Sequence, residues 1–237
     1  MANIITKNIP NSITCCNLIC GCVATGYAFA QNYKMSLLLI IIGAVFDFFD
    51  GMSARLLKVS SPIGKELDSL ADDITFGMAP ATIAFGLMCE MKCDGFEAAS
   101  NYIVFVAFLI AAFSALRLAK FNLDERQTSS FIGLPTPANA LFWGSIAVGA
   151  HDEIVEQNML LLIPVVLLSC YMLVAEIPMF ALKIKNLSWA DNKVKYVFVL
   201  SSIAIAVAMS FAGLAIASIA VIILWYVILS AVTQRKA

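Results

Sequence analysis

Four aspartates, Asp47, Asp50, Asp68 and Asp72, crowd into the stretch DFFDGMSARLLKVSSPIGKELDSLADD, residues 47–73, and the first two lie within a run of Ile, Val and Phe. Asp47 and Asp50 are three residues apart and Asp68 and Asp72 four apart, so on helices each pair shares one face. If the two helices are antiparallel neighbours, all four carboxylates point at one spot. A lone Asp at the centre of a membrane helix costs ~3 kcal/mol, and four clustered acids repel one another. Divalent cations between them would remove both costs. Oxygen-only ligands suit Mg²⁺ or Mn²⁺, and two such ions ~3.5–4 Å apart form a clamp for phosphoryl transfer. The same spacing also suits a proton or sodium site in a transporter, or acids paired with Arg55 and Lys65.

The elements that must position these acids are membrane helices. The chain has 237 residues, 61% hydrophobic and 13% charged, against about 45–50% and about 25% in a soluble domain. A span needs ~20 apolar residues, and eight segments qualify: 12–31, 35–57, 62–88, 101–120, 134–150, 158–182, 194–211 and 213–233. Their apolar runs are continuous, without the alternation of a barrel, so the expected class is all-α and polytopic. The polar N-terminus, MANIITKNIPNS, leads straight into the first apolar segment, so no cleavable signal peptide is expected.

With the N-terminus in the cytoplasm and eight alternating spans, thirteen of the fifteen Lys and Arg fall on the cytoplasmic side, leaving Lys34 and Lys92 outside. That skew favours cytoplasmic termini in an integral membrane protein. Ser61 is then the expected N-cap of span three and Pro62 its first helical residue. The acids lie about two turns inside the cytoplasmic ends of spans two and three, so the site faces the cytoplasm. Asp73 points ~100° away from Asp72 round the helix and is read as a structural or supporting group.

Asp47-x-x-Asp50-Gly51-x-x-Ala54-Arg55, eight residues, then Gly64-x-x-x-Asp68-x-x-x-Asp72 resembles in full the signature of the CDP-alcohol phosphatidyltransferase family. The resemblance implies two divalent ions, Mg²⁺ or Mn²⁺, and transfer of a phosphatidyl group from a CDP-lipid to an alcohol with release of CMP. By position it implies Asp47, Asp50, Asp68 and Asp72 as metal ligands and Asp72 as general base. Gly51, Ala54 and Gly64 would let the nucleotide approach the backbone, and Arg55 would meet its phosphates. Three further stretches resemble the phosphatidylserine synthase branch of the family. They are Pro10-Asn11-x-x-Thr14-x-x-Asn17-x-x-x-Gly21, Arg117-Leu118-Ala119-Lys120-Phe121-Asn122, and Phe131-x-Gly133-Leu134-Pro135-x-Pro137-Ala138.

That branch implies CDP-diacylglycerol and L-serine as substrates among membrane lipids, Thr14 and Asn17 near the nucleotide, and a homodimer. Arg117, Lys120, Asn122 and Arg126 become candidates for holding serine or a phosphate. The family has Arg where this chain has Lys120, which keeps the charge but loses the planar fork. The resemblance covers spans one to five of a single membrane domain, residues 1–237. Its catalytic core is about 10–150, with extra helices over about 158–233. No nucleic-acid partner is expected.

Other readings stay open. Glycerol 3-phosphate or inositol phosphate could replace serine, or the acids could serve an ion-coupled transporter, although residues 120–237 show no second acidic hairpin. Arg117 could instead snorkel, and the loop 123–130 could be a flap or a solvated connection. The PTP at 135–137 could simply break the helix before span five. Cys15, Cys16, Cys20 and Cys22 fit no zinc or iron–sulfur spacing and read as packing or lipid-facing residues. Cys89 and Cys93 could pair, though awkwardly. His151, the only histidine, reads as solvated. Glu176 reads as snorkelling or pairing with Lys183, with a contact to a serine ammonium as the remaining alternative.

Overall fold

The computed structural model describes residues 4–59, 61–93, 97–124, 131–180 and 189–234, and they are overwhelmingly helical. Helix α1 spans Ile4–Phe29 and α2 spans Tyr33–Leu57. The third rod is compound: α3 (Pro62–Asp72), one π-helical turn (Asp73–Met78) and α4 (Ala79–Glu90). The fourth joins α5 (Glu97–Ile103) through a 3₁₀ segment (Val104–Phe108) to α6 (Leu109–Leu123). Then follow α7 (Thr136–Gly149), the short α8 (His151–Val155), a 3₁₀ turn (Met159–Leu161), α9 (Leu162–Val174), α10 (Trp189–Phe211) and α11 (Ser218–Gln234). Four stretches are long and apolar enough to cross a membrane: Asn8–Phe29, Tyr33–Leu57, Ser100–Leu123 and Asn192–Phe211. Met159–Val174 and Ser218–Thr233 are shorter apolar helices.

Local chemistry sets the boundaries around the acids. α2 stops at Lys58, which adopts a left-handed conformation and whose backbone N–H bonds the carbonyls of Ala54 and Arg55. Ser61 then caps α3, its hydroxyl accepting from the Gly64 N–H at 2.9 Å, with Pro62 next. Both positions agree with the sequence reading.

Two expectations shift. The sixth apolar segment stays helical only to Val174, and the chain runs extended to Pro178–Met179. There it pairs antiparallel with Phe131–Ile132, so a two-residue ladder interrupts an otherwise helical fold. Pro178 explains the break, since it has no N–H to give a helix and disfavours helical geometry in the residue before it. The turn at Gly213 has a positive φ of 79°.

α4 is the central rod, buried on nearly every side, with Ile83, Leu87 and Met88 in a core completed by Phe76, Ile110, Trp143 and Val166. α10, by contrast, leaves most of its apolar side chains exposed, as suits lipid contact. Small residues bring α1 and α2 tight against the π turn. A Cβ on Gly21 would lie 2.3 Å from Thr75 Oγ1, and one on Gly43 would lie 2.6 Å from Thr75 Cγ2 and 2.9 Å from Asn17 Oδ1.

Candidate active site

α2 and α3 bring their acids together. Asp47, Asp50 and Asp68 each offer a carboxylate oxygen, and these lie within 4.8 Å of one another. Asp50 is buried at 6% exposure, and the other two are half-buried. Asp72 stands beside this trio, near enough to Asp47 and Asp68 for their charges to interact, but outside the 4.8 Å group.

α1 supplies the clamp. Thr14 Oγ1 donates to Asp50 Oδ2 at 2.6 Å, and Asn17 Nδ2 donates to Asp72 Oδ1 at 3.1 Å. Thr75 of the π turn donates to the Asn17 carbonyl at 3.0 Å. One carboxylate from each helix of the hairpin is therefore oriented by the first helix.

No Lys or Arg among the described residues comes within 4 Å of these four carboxylates. Lys65 instead donates to the Asn122 carbonyl at 3.0 Å, and the exposed Arg55 folds back toward Gly51, its guanidinium 3.9 Å from where a Cβ would sit. The reading in which the acids pair with Arg55 and Lys65 is thereby corrected. Lys65 reaches another acceptor and Arg55 lies back along its own helix, and the hard oxygen donors are left facing one another. Such a set fits a divalent cation such as Mg²⁺ or Mn²⁺.

The other sequence candidates separate. Gly51 and Ala54 are half-buried on α2, and the only neighbour a Cβ on Gly51 would meet within 4 Å is the Arg55 guanidinium. Gly64 does not, since a Cβ there would lie 2.9 Å from Asn11 Oδ1. Asn122 donates to Ser69 Oγ at 2.7 Å, tying the end of α6 to α3. Arg126, with the rest of the loop 125–130, lies outside the described residues, as does Lys183.

Arg117 is buried at 7% exposure, its guanidinium 5.4 Å from the centre of the Phe121 ring and within electrostatic reach of Asp72. Its Nε has no hydrogen-bond partner. Burial this deep corrects the snorkelling alternative, because α6 packs against the π turn and α9 and holds the group inside. Arg117 and Lys120 line a cavity of about 400 Å³ together with Glu176.

Sequence reasoning missed three features. The π turn follows Asp72 directly, and Asp73 Oδ1 lies buried in it without a partner. Glu176 reaches the cavity, where the sequence reading favoured snorkelling. His151 is not merely solvated: its Nε2 lies 3.1 Å from Glu90 Oε2 and its Nδ1 3.1 Å from Asp152 Oδ1. Tyr33 OH also donates to Glu90. Clustered i, i+3 and i, i+4 spacing marked the acids, but no local signal joins residues this far apart in the chain. The cysteines are free, Cys89 and Cys93 included, with Cys15, Cys16 and Cys22 exposed.

The sequence profile of the CDP-alcohol phosphatidyltransferase family matches residues 7–175. Among curated proteins named CDP-diacylglycerol–serine O-phosphatidyltransferase, one from Bacillus subtilis is 38% identical over 130 residues, 54% of this chain and 69% of that protein. One from Helicobacter pylori is 35% identical over 137 residues, 56% of this chain and 54% of that protein. One from Saccharomyces cerevisiae is 39% identical over 128 residues, 50% of this chain and 43% of that protein. The chain thus spans about half the length of the latter two.

Proposed function

The chain belongs to the CDP-alcohol phosphatidyltransferase family, and from that premise we propose that it transfers the phosphatidyl group of CDP-diacylglycerol to L-serine, giving phosphatidylserine and CMP. The observation that carries the reading is the convergence of Asp47, Asp50 and Asp68 with Asp72 beside them and, among the described residues, no basic side chain paired to any. That arrangement suits a reaction whose demands are alignment and charge neutralisation. The relatives' names supply serine as acceptor. A transporter reading loses its support with the family assignment.

Asp47, Asp50, Asp68 and Asp72 would hold Mg²⁺ or Mn²⁺, which when bound neutralises charge on the pyrophosphate and on departing CMP. The chain's own residues do the rest. Thr14 and Asn17 fix the orientation of Asp50 and Asp72. Asn17 occupies one Asp72 oxygen, so the other accepts the proton of the serine hydroxyl. The serine oxygen then bonds to the β-phosphorus, the bond from that phosphorus to the bridging oxygen breaks, and CMP leaves. Small Gly51 and Ala54 let the nucleotide approach α2, and exposed Arg55, which lies against Gly51, turns to meet its phosphates, while Gly64 serves by letting α3 pass close to Asn11. Arg117 and Lys120 hold the acceptor, and Arg126 stays a candidate beside them. Asn122 acts through α3, holding the hairpin against α6.

The wider setting in this reading is eight spans with cytoplasmic termini and site, in a homodimeric single-domain protein. It draws on the Lys and Arg skew and on the helical rod or rods that each apolar segment contains. The test is CMP release by purified protein from CDP-diacylglycerol with Mg²⁺ or Mn²⁺, offering L-serine, glycerol 3-phosphate and inositol phosphate separately. Release that requires serine and vanishes in Asp72→Asn supports the proposal. Release only with a phosphate-bearing acceptor discards serine.

A further inference from the structure

The cavity beside Arg117 has the wrong charge for a phosphate pocket. Its polar wall holds Arg117 and Lys120, but Glu176 and Asp124 face the same space, over an apolar floor of Leu173 and Val174. A pocket for a phosphate-bearing alcohol would gather cations and keep carboxylates away, because each acid repels the incoming charge. A pocket of both signs suits a molecule carrying both, which is what a free amino acid is at neutral pH.

The placement of Glu176 is built into the fold. Gly133 donates its N–H to the Ile177 carbonyl at 2.9 Å, and Leu134 donates to Met172 at 2.8 Å. With the Ile132–Pro178 pairing, these bonds hold the backbone on both sides of Glu176. The fit is tight: Gly133 has φ +76°, and a Cβ there would lie 2.7 Å from the Leu173 carbonyl oxygen. The side chain itself is exposed and forms no hydrogen bond or ion pair among the described residues, whereas Asp124 has a contact of its own. Arg117 lines the same cavity, is itself buried, and has no hydrogen-bond partner at Nε among the described residues, which leaves its charge for an anion to offset.

We propose that this cavity is the amino-acid subsite and that Glu176 receives the ammonium group of the acceptor while Arg117 receives its carboxylate. The inference rests on the serine reading above and deepens it. Arg117 also lies within reach of the Asp72 charge, so an amino acid anchored there is held near the proposed base. Glu176 is then the residue that selects serine over alcohols lacking an amine and over phosphate-bearing acceptors.

The experiment uses the full chain in lipid nanodiscs and follows CMP release with CDP-diacylglycerol in excess. L-Serine is compared with 3-hydroxypropionate, which is serine without its ammonium, in wild type, Glu176→Gln and Glu176→Asp. Losing a charge-assisted hydrogen bond corresponds to a rise of about tenfold to a hundredfold in the serine KM of Glu176→Gln. The KM for CDP-diacylglycerol changes far less, the preference for serine over 3-hydroxypropionate collapses, and Glu176→Asp recovers part of both. A serine KM unmoved in Glu176→Gln, or a preference that survives it, overturns the Glu176 assignment while leaving serine as substrate. Wild type that ignores serine but turns over glycerol 3-phosphate overturns the serine reading and this inference with it.

Discussion

Two polar clusters sit ~20 Å apart along the same helix, α2, and they are built on opposite rules. Near one end, Asp47 and Asp50 meet Asp68 and Asp72, acid against acid, with neutral donors from Thr14 and Asn17 as their hydrogen-bonding partners on α1. At the other end, Tyr33 donates to Glu90, and His151 bridges Glu90 and Asp152. Both acids of that second group contact the imidazole, and Glu90 also accepts from Tyr33. The second cluster therefore fastens the end of α4 to α2 and α8 and asks for nothing further. The first keeps carboxylates at close range with no basic partner among the described residues, an arrangement that costs stability. Acids without a basic partner stand where the proposed chemistry lies, and acids with donors stand where helices are tied.

The sharpest way to break this contrast is to remove the divalent ions that the acids are proposed to hold. Excess EDTA should abolish CMP release, and added Mg²⁺ or Mn²⁺ should restore it, while the far cluster and its packing stay intact by circular dichroism. Asp72→Asn should lower kcat by about 10²–10⁴-fold, the range for losing a general base, with secondary structure unchanged. Activity that survives either treatment would place the chemistry elsewhere.

Stability should respond with opposite signs at the two ends. In chelator, Asp47→Asn relieves repulsion and should raise unfolding stability by about 0.5–2 kcal/mol, the usual gain from relaxing a functional site. Glu90→Ala strands the buried Tyr33 hydroxyl and should cost about 1–3 kcal/mol. Thermal unfolding in one detergent compares the pair directly, and equal signs would dissolve the contrast.

The smallest effect concerns pH. Burial pushes the His151 pKa down, but Asp152 and Glu90 more than offset this and leave it above the ordinary value. A raised folded-state pKa gives stability that is fully present below the unfolded value near 6.5 and is lost as pH rises through the folded one. His151→Gln should therefore destabilise more at pH 5.5 than at pH 8.5. The group is partly solvent-screened, so the difference should stay within ~0–1 kcal/mol. A reversed pH trend would show that the two acids do not hold the imidazolium.

Much of this was legible in the order of residues. Continuous apolar runs specify membrane helices because a chain in lipid must bond its own backbone. Ser61 and Pro62 specify the start of α3 because free N–H groups and a fixed φ are needed there. That Asp47 and Asp50 share one helix face, and Asp68 and Asp72 another, follows from helical periodicity. These are all relations within a few residues of each other, where covalent geometry leaves little choice. What only the tertiary structure decided are the meetings across distance. Asn17 finds Asp72 and Thr14 finds Asp50 because Gly21 and Gly43 let helices approach closely around Thr75. His151 reaches Glu90, and Glu176 joins Arg117 in one cavity because a short ladder bends the chain back at Pro178. No periodicity encodes such pairs, since they depend on which helix packs against which and at what distance.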